Sequence, residues 1–287
     1  MTSSTVFFAL LSMICAGGND IVFKRYAMKS RSRGTYVFGI GLVWACLQIV
    51  YATTTGVGFD ASGASLSYGL VAGVLLTVSN LSLLESLTHI DASLGSTIYR
   101  LNTVGVVLLS ILVLDESLGW MQGLGIALGI AAVFLLYRPG GHGEAIGKRF
   151  ALFFALALFA SACRAVYGVV TKAGLNDGAS TQSMLVIAAI CWIIGGAMYA
   201  LIREKRLKLT GKKAIYSLLS GVLVFLIVNF LLLAIAKGQA SIAIPIANMS
   251  FVVALILSVG LGMEMFTRRK FIAVTVSICS LLLLSRA

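Results

Sequence analysis

Arg100 is the residue whose position in the sequence most needs a chemical explanation. It lies eight residues past Ala92 in an apolar stretch, which is roughly 12 Å along a helix at about 1.5 Å per residue. A charged side chain deep in a membrane helix costs at least about 2.5–3.5 kcal/mol on insertion scales, so it normally meets a partner or a watery cavity. Polar residues share its helical face, and they are Ser93, Ser96, Thr97, Thr103 and Ser110. This polar stripe predicts a helix face that lines a cavity.

A second polar group surrounds Asn248, which shares a helical face with Ser241 and Pro245. Proline has no backbone N–H, so Pro245 would leave the carbonyl of Ser241 without its helical partner. A local break of this kind can bind a solute or act as a hinge. We therefore predict a hinge at Pro245 and solute contacts at Asn248 and Ser241.

Further polar residues lie in two other apolar stretches, with Asn19 and Asp20 in the first and Arg164 and Tyr167 in the sixth. Two buried guanidiniums suit a carboxylate or a phosphate, because each planar fork donates two hydrogen bonds at once. The sequence thus predicts a site for an anionic solute, formed by Arg100, Asn248, Arg164, Tyr167, Asn19, Thr97 and Ser241. Asp20 and Glu85 are the candidates to carry a coupled proton.

Other interpretations of these residues stay open. A salt bridge from Arg100 to Asp20 or Glu85 would only fix helix packing. A cation could instead be held by an aromatic cage. The residues for such a cage are Trp44, Tyr51, Trp192 and Tyr199, although such side chains more often form belts at the membrane surface.

Composition decides which elements must position these residues. The chain of 287 residues is 59% hydrophobic and 11% charged, whereas soluble domains are roughly 45–50% apolar and 25% charged. This composition therefore predicts an all-α integral membrane protein with the lipid bilayer as its partner. The net charge of +12 sits in short clusters between apolar stretches, which is typical of topology signals and not of nucleic-acid binding. The five cysteines lack metal-ligand spacing, so neither a metal nor a cofactor is expected.

Ten stretches approach the roughly 20 residues that a membrane helix needs. They are 5–26, 34–55, 66–88, 92–114, 119–137, 149–171, 181–202, 213–235, 240–262 and 269–286. We predict halves at 1–139 and 149–287, joined by a short linker at 138–148. Most of the 22 Lys and Arg lie in the odd connectors, so the positive-inside rule places those connectors in the cytoplasm and both termini outside. The expected location is a bacterial inner membrane.

An internal repeat supports this division. A shift of 148 residues aligns Cys15 with Cys163, Lys24 with Lys172, Trp44 with Trp192, Tyr51 with Tyr199, Tyr68 with Tyr216 and Glu116 with Glu264. The same shift carries segments one to five onto six to ten. Five is odd, so the second copy must be inverted in the membrane. Inverted repeats are the architecture of alternating-access transporters, with the solute bound near the midplane.

The chain resembles the drug/metabolite transporter superfamily, and in particular its ten-helix EamA-type members. The first segment carries a Gly17-Gly18-Asn19 and Lys24 pattern, and the two fourth segments end in Asp115-Glu116 and Gly262-Met263-Glu264. The proline often found midway along each fourth helix is absent, at Asn102-Thr103 and Met249-Ser250. The resemblance implies secondary transport or export of amino acids, related metabolites, nucleotide-linked sugars or cations. It also implies cytoplasmic termini, the opposite of the charge distribution.

Other function classes fit less well. A membrane enzyme would need a nucleophile with a base, a metal cluster or a phosphate loop, and the sequence has none of these patterns. A flippase or exporter of a lipid-linked headgroup, a transporter of organic cations and a scaffold without transport remain as alternatives. The glycines of segment five, Gly119, Gly123, Gly125 and Gly129, predict close helix contact, either within a monomer or in a dimer.

Overall fold

The computed structural model describes residues 3–28, 32–56, 58–114, 119–136, 144–237 and 246–284, and these residues contain helices and no strand. The helices are α1 (Ser3–Ala27), α2 (Arg33–Thr55), α3 (Gly63–Ser86), α4 (Ala92–Arg100), α5 (Asn102–Leu114), α6 (Trp120–Leu136), α7 (Glu144–Asn176), α8 (Thr181–Ile202), α9 (Gly211–Lys237), α10 (Ser250–Gly260) and α11 (Arg268–Leu284). Six of them are long and apolar enough to cross a membrane. With α4 and α5 counted as one segment, the helices match the ten predicted segments and confirm the all-α membrane fold.

Polar side chains set where several helices begin. The hydroxyl oxygen of Ser32 accepts from the backbone N–H of Thr35 at 3.2 Å, and that of Ser180 accepts from Ser183 at 3.4 Å. Each bond satisfies a backbone donor that the first helical turn leaves unpaired. Ser32 and Ser180 are equivalent under the shift of 148 residues, so the two copies start their second helices in the same way.

The packing of α2 against α8 confirms the inversion directly. These helices are equivalent in the two copies, and they run antiparallel. Near one end, a methyl group built on Gly34 would clash with the backbone of Ala200. Near the other end, Gln48 Nε2 donates to Gln182 Oε1 at 3.1 Å. Because early residues of α2 meet late residues of α8, the second copy points the opposite way through the bundle.

A pseudo-twofold axis passes between Trp44 and Trp192, whose ring centroids lie 5.6 Å apart. The contacts around the axis occur twice. A methyl group built on Gly73 would lie 2.7 Å from Cys191 Sγ, and one on Gly221 would lie 2.5 Å from Val43 Cβ. Each of these pairs becomes the other under the shift of 148 residues. Small residues at equivalent positions therefore let α3 approach α8 and α9 approach α2.

The fourth predicted segment, 92–114, is broken at Leu101, between α4 and α5. The ninth segment is broken at Met249, which is the equivalent position. At each break the chain makes a tighter turn, with Val104 N donating to Leu101 O at 3.0 Å and Val252 N donating to Met249 O at 2.9 Å. Such i to i+3 bonds inside a helix often mark a functional hinge. Neither turn has a proline at its centre.

Two glycines of the fifth segment, Gly125 and Gly129, pack within the chain. Ser280 Oγ of α11 donates to the carbonyl of Gly125 at 2.7 Å. A methyl group built on Gly129 would lie 2.5 Å from Val104 Cγ2 and 3.0 Å from Ser280 Oγ. The thin face of α6 thus lets the last helix of the first copy approach the last helix of the second. The predicted close helix contact is found between the copies.

Candidate functional site

A cavity of about 60 Å³ lies between the two copies, and α1, α2, α3, α4, α7, α8 and α9 all contribute to its wall. That volume is enough for more than one water molecule. Its polar lining residues are Asn19, Asp20, Asn80, Tyr99, Arg100, Arg164, Tyr167 and the two tryptophans Trp44 and Trp192. The cavity therefore brings several polar side chains together inside an apolar bundle, next to the break at Leu101.

The break at Leu101 positions Arg100, which is the last residue of α4. The residue is 7% exposed, and its Nη2 lies 3.8 Å from Asp20 Oδ2 on α1. Asp20 also accepts a hydrogen bond of 2.5 Å from the hydroxyl of Ser96. Charge-assisted N–H to O bonds are typically about 2.7–2.9 Å long, so the pair with Asp20 is loose. Arg100 Nε has no hydrogen-bond partner among the described residues.

Arg164 enters the cavity from α7, in the second copy. Its Nη1 donates to the hydroxyl of Tyr99 at 3.5 Å. Its guanidinium carbon lies 5.4 Å from the ring centre of Tyr99 and 5.3 Å from that of Tyr167. Arg100 approaches the same Tyr99 ring at 5.6 Å. These distances are within the roughly 6 Å range of cation–π attraction, so the aromatic rings hold two like charges near each other.

The cavity carries an excess of positive charge. Two guanidiniums face it and a single carboxylate, Asp20, does so among the described lining residues. A buried charge without a counter-ion is costly, and the cost falls when an anion binds. The arrangement is therefore suited to a ligand that brings one negative charge.

Comparison with known proteins identifies the family. The sequence model of the EamA-like transporter family matches residues 3–138 and again residues 151–286. The chain belongs to the EamA-like transporter family. The resemblance to the drug/metabolite transporter superfamily is thus confirmed over both copies, and the chain is a transmembrane transporter of that type.

A solved structure supports the fold of this EamA-like transporter. A protein of known crystal structure superposes with a TM-score of 0.71, at 14% sequence identity, over 99% of this chain and 96% of that one. Identity at that level indicates a shared fold alone. Comparison with curated proteins finds no match.

The EamA-like transporter brings together only part of the predicted site. The predicted residues that line the cavity are Asn19, Asp20, Arg100, Arg164 and Tyr167. Thr97 is fully buried and Asn248 is partly buried, and neither lines the cavity. Asn248 Nδ2 instead donates to Thr103 Oγ1 at 3.0 Å and so joins the breaks of the two copies. Ser241 and Pro245 lie outside the described residues.

Glu85 lies away from the cavity of this transporter, at the end of α3. Its Oε1 is 3.1 Å from Arg33 Nη1, and it accepts a hydrogen bond from the hydroxyl of Tyr199. The salt bridge considered between Arg100 and Glu85 is therefore absent from the described contacts, and that with Asp20 is present. Of the two candidates for a coupled proton, Asp20 is the one that touches the cavity.

Several cavity residues of the transporter were missed or misassigned from the sequence. The interpretation of Trp44 and Trp192 as a surface belt is wrong, because both are buried at the centre of the bundle. Tyr51 instead contacts the ring of Phe225 at 6.0 Å. Tyr99 and Asn80 were missed, although Tyr99 adjoins Arg100 in the sequence. The match of the two tryptophans at the repeat spacing was the available signal for a position on the pseudo-twofold axis.

Proposed function

We propose that this EamA-like transporter moves a small solute that carries a carboxylate or a phosphate group, by alternating access through the cavity at Arg100. The observation that supports this is the charge of the cavity, where two guanidiniums face one carboxylate. An arginine fork binds such planar or tetrahedral anions with two hydrogen bonds. The unpaired Nε of Arg100 is one donor that such a group would meet.

Asp20 supplies a way to couple the solute to a proton. The solute anion and Asp20 compete for the same guanidinium, since Arg100 lies 3.8 Å from Asp20. A proton on Asp20 would remove its charge and release Arg100 to the solute. In this proposal the halves 1–139 and 149–287 then rock about the breaks at Leu101 and Met249, as discontinuous helices permit.

Counterflow in proteoliposomes tests the proposed solute class. The panel holds amino acids, sugar phosphates and organic cations. Arg100→Gln should abolish counterflow of the anionic solute that the wild type accepts, and Arg100→Lys should retain little, because an ammonium cannot form the bidentate contact. Arg203→Gln is the matched control, since Arg203 is exposed at the end of α8. Uptake that is unchanged in Arg100→Gln would overturn the proposal.

One observation favours a lipid-linked headgroup as a second candidate. A crevice of about 190 Å³ lies beside the break in segment four and is lined by mostly apolar residues, including Leu101, Gly105 and Leu158. Leu158 and the neighbouring lining residue Ile130 are exposed on the bundle surface, where lipid chains would be. A short-chain fluorescent phospholipid that changes leaflets in proteoliposomes only with the wild type, and not with Arg100→Gln, would support this alternative over a soluble solute.

We further propose a bacterial inner membrane location with the odd connectors in the cytoplasm. The basic residues support it, since the ends of the helices around these connectors carry Lys24, Arg25, Arg33, Lys270 and others. Both termini would then lie outside. A reporter enzyme that is active only outside the cytoplasm, fused to Ala287, should be active, and an inactive fusion would reverse the orientation.

A further inference from the structure

The two tryptophans on the pseudo-twofold axis have different hydrogen bonding. Trp44 Nε1 donates to Gln48 Oε1 at 3.3 Å. Gln48 is held in turn by Asn229, whose Nδ2 donates to the same oxygen at 3.2 Å. The indole N–H of Trp44 therefore has its partner within the first copy, one helical turn away.

Trp192 cannot have the equivalent partner. The residue one turn beyond it is Gly196, where the first copy has Gln48. A methyl group built on Gly196 would clash with the backbone of Phe38 on α2, and it would lie 2.8 Å from the Cα of that residue. The close crossing of α2 and α8 thus excludes any side chain at this position. Trp192 Nε1 has no hydrogen-bond partner among the described residues, although the side chain is 2% exposed and lines the cavity.

Asn19 supplies a second unpaired atom on the same cavity. Its Oδ1 is buried without a partner in the described part of the chain, and the residue is 6% exposed. Buried polar atoms in folded proteins are nearly always paired, and one left unpaired is destabilising until a ligand or water fills the place. Three such atoms belong to residues that line this one small cavity, namely Asn19, Arg100 and Trp192. Two are donors and one is an acceptor.

We infer that Trp192 and Asn19 are specificity-determining residues that form hydrogen bonds with the part of the solute next to its anionic group. This inference rests on the proposed transport of an anion. Trp192 donates its indole N–H to the solute beside Arg100, and Asn19 Oδ1 accepts a hydrogen bond from the solute. The solute must therefore carry a hydrogen-bond donor close to its anionic group. A plain carboxylate would leave Asn19 Oδ1 unpaired, and a site built to bond a donor rejects analogues that lack it.

Three small carboxylates of nearly equal size test the donor requirement. Propionate, lactate and alanine carry hydrogen, hydroxyl and ammonium on the carbon beside the carboxylate. Titration calorimetry of the purified transporter in nanodiscs should give at least one of lactate and alanine a Kd about tenfold below that of propionate, the fold-change of one good hydrogen bond. Equal Kd values for the three, or no binding of any, would overturn the inference.

Matched substitutions separate the contribution of Trp192 from mere packing. Trp192→Phe keeps an aromatic ring and removes the N–H, so it should raise the Kd of the preferred probe about tenfold. Trp120→Phe removes the same group from a tryptophan that is 73% exposed and does not line the cavity, and should change Kd less than twofold. Asn19→Leu should abolish the preference for the donor-bearing probe over propionate. Equal effects of the two tryptophan substitutions would refute the role of Trp192.

An NMR measurement that needs no substitution in the cavity keeps the inference testable if a cavity variant fails to fold. The chain has three tryptophans, and Trp120 is 73% exposed, so Trp120→Phe simplifies the nitrogen-15 spectrum to two indole signals. The Trp192 signal should shift on addition of the preferred probe by more than the Trp44 signal, because the N–H of Trp44 is already bonded to Gln48. Propionate binding that depends on Arg100 without a preference for lactate or alanine refutes this inference and leaves the proposed anion site standing. Probe binding that is unchanged in Arg100→Gln refutes the anion site itself.

Discussion

The two copies share their packing and differ in the side chains that face the cavity. Gly73 on Cys191 repeats as Gly221 on Val43, and the break at Leu101 repeats at Met249. Where the first copy has Asp20 and Arg100, however, the second has Gly168 and Asn248. Repeated contacts give two halves that can exchange conformations, and the unrepeated charges form one site on the axis and not two. The packing of the helices therefore follows the pseudo-twofold symmetry, whereas the charged side chains of the site do not.

The largest expected effect comes from making the copies alike at Arg100. Arg100→Asn gives the first copy the residue of the second, and it should reduce counterflow of the anionic solute at least about 30-fold, since losing one partner of a buried charged contact costs about 2–5 kcal/mol. It also leaves the Asp20 carboxylate without the guanidinium 3.8 Å away. The double variant Asp20→Asn/Arg100→Asn removes both charges, so it should regain thermal stability and remain inactive. An active double variant would show that the charge difference between the copies is not needed.

The next effect concerns the shared scaffold, at the crossing of α2 and α8. Gly196→Ala places a methyl group against the backbone of Phe38, and overpacking of this kind costs about 1–3 kcal/mol. Gly18→Ala is the matched control, because the added methyl group meets nothing within 4 Å. Thermal unfolding in detergent should show a lower Tm for Gly196→Ala and an equal or higher Tm for Gly18→Ala. Similar values for the two would contradict the close crossing.

These comparisons show which parts of the fold the sequence can predict. The ten segments follow from hydrophobicity, and the inversion follows from rare residues that recur at one spacing, such as Trp44 and Trp192. Arg100 was predicted to face a cavity because its cost in lipid is large. The break at Leu101 could not be predicted, because this position is occupied by neither glycine nor proline. A contact between the copies, from Asn248 to Thr103, accompanies the break, and residue types along one segment do not encode such a contact.

The role of the tryptophans shows a different limit. A residue type that is common at the membrane surface is also suited to a buried polar cavity, because its ring is apolar and its N–H needs a partner. Trp44 lies near the middle of α2, so counting residues would have placed it at mid-membrane. The free N–H of Trp192, by contrast, depends on the distance between α2 and α8 at Gly196, which only coordinates give.

A smaller effect is expected where the two breaks meet. Asn248→Ala removes the hydrogen bond of 3.0 Å to Thr103, and such a bond contributes about 0.5–1.5 kcal/mol. We expect counterflow to change less than about tenfold, with the solute KM nearly unchanged, because Asn248 does not line the cavity. Thr103→Val should give the same result, and the double variant should add nothing further. A large rise in KM would instead place Asn248 in the solute site, as the sequence predicted.

The smallest effect is expected from connector residues outside the membrane, where the two copies carry opposite charges at equivalent positions. Asp60 precedes α3, and the second copy has Lys208 there. Hydrogen bonds from Ser62 and Ser65 hold the pKa of Asp60 below its usual 3.8. Because the folded pKa is lowered, the carboxylate stabilises the fold above pH 3.8, and that contribution is lost as the pH falls through the lower folded value.

Thermal unfolding of the wild type should therefore show a slightly lower Tm as the pH drops from neutral to about 3. Asp60→Asn should reduce this pH dependence without changing counterflow at neutral pH, because Asp60 lies in the connector before α3 and does not line the cavity. Ser65→Ala removes one of the donors to Asp60 and should act in the same direction by a smaller amount. If the pH dependence of Asp60→Asn equals that of the wild type, the carboxylate does not contribute to the start of α3, and the charge difference between Asp60 and Lys208 has no structural consequence.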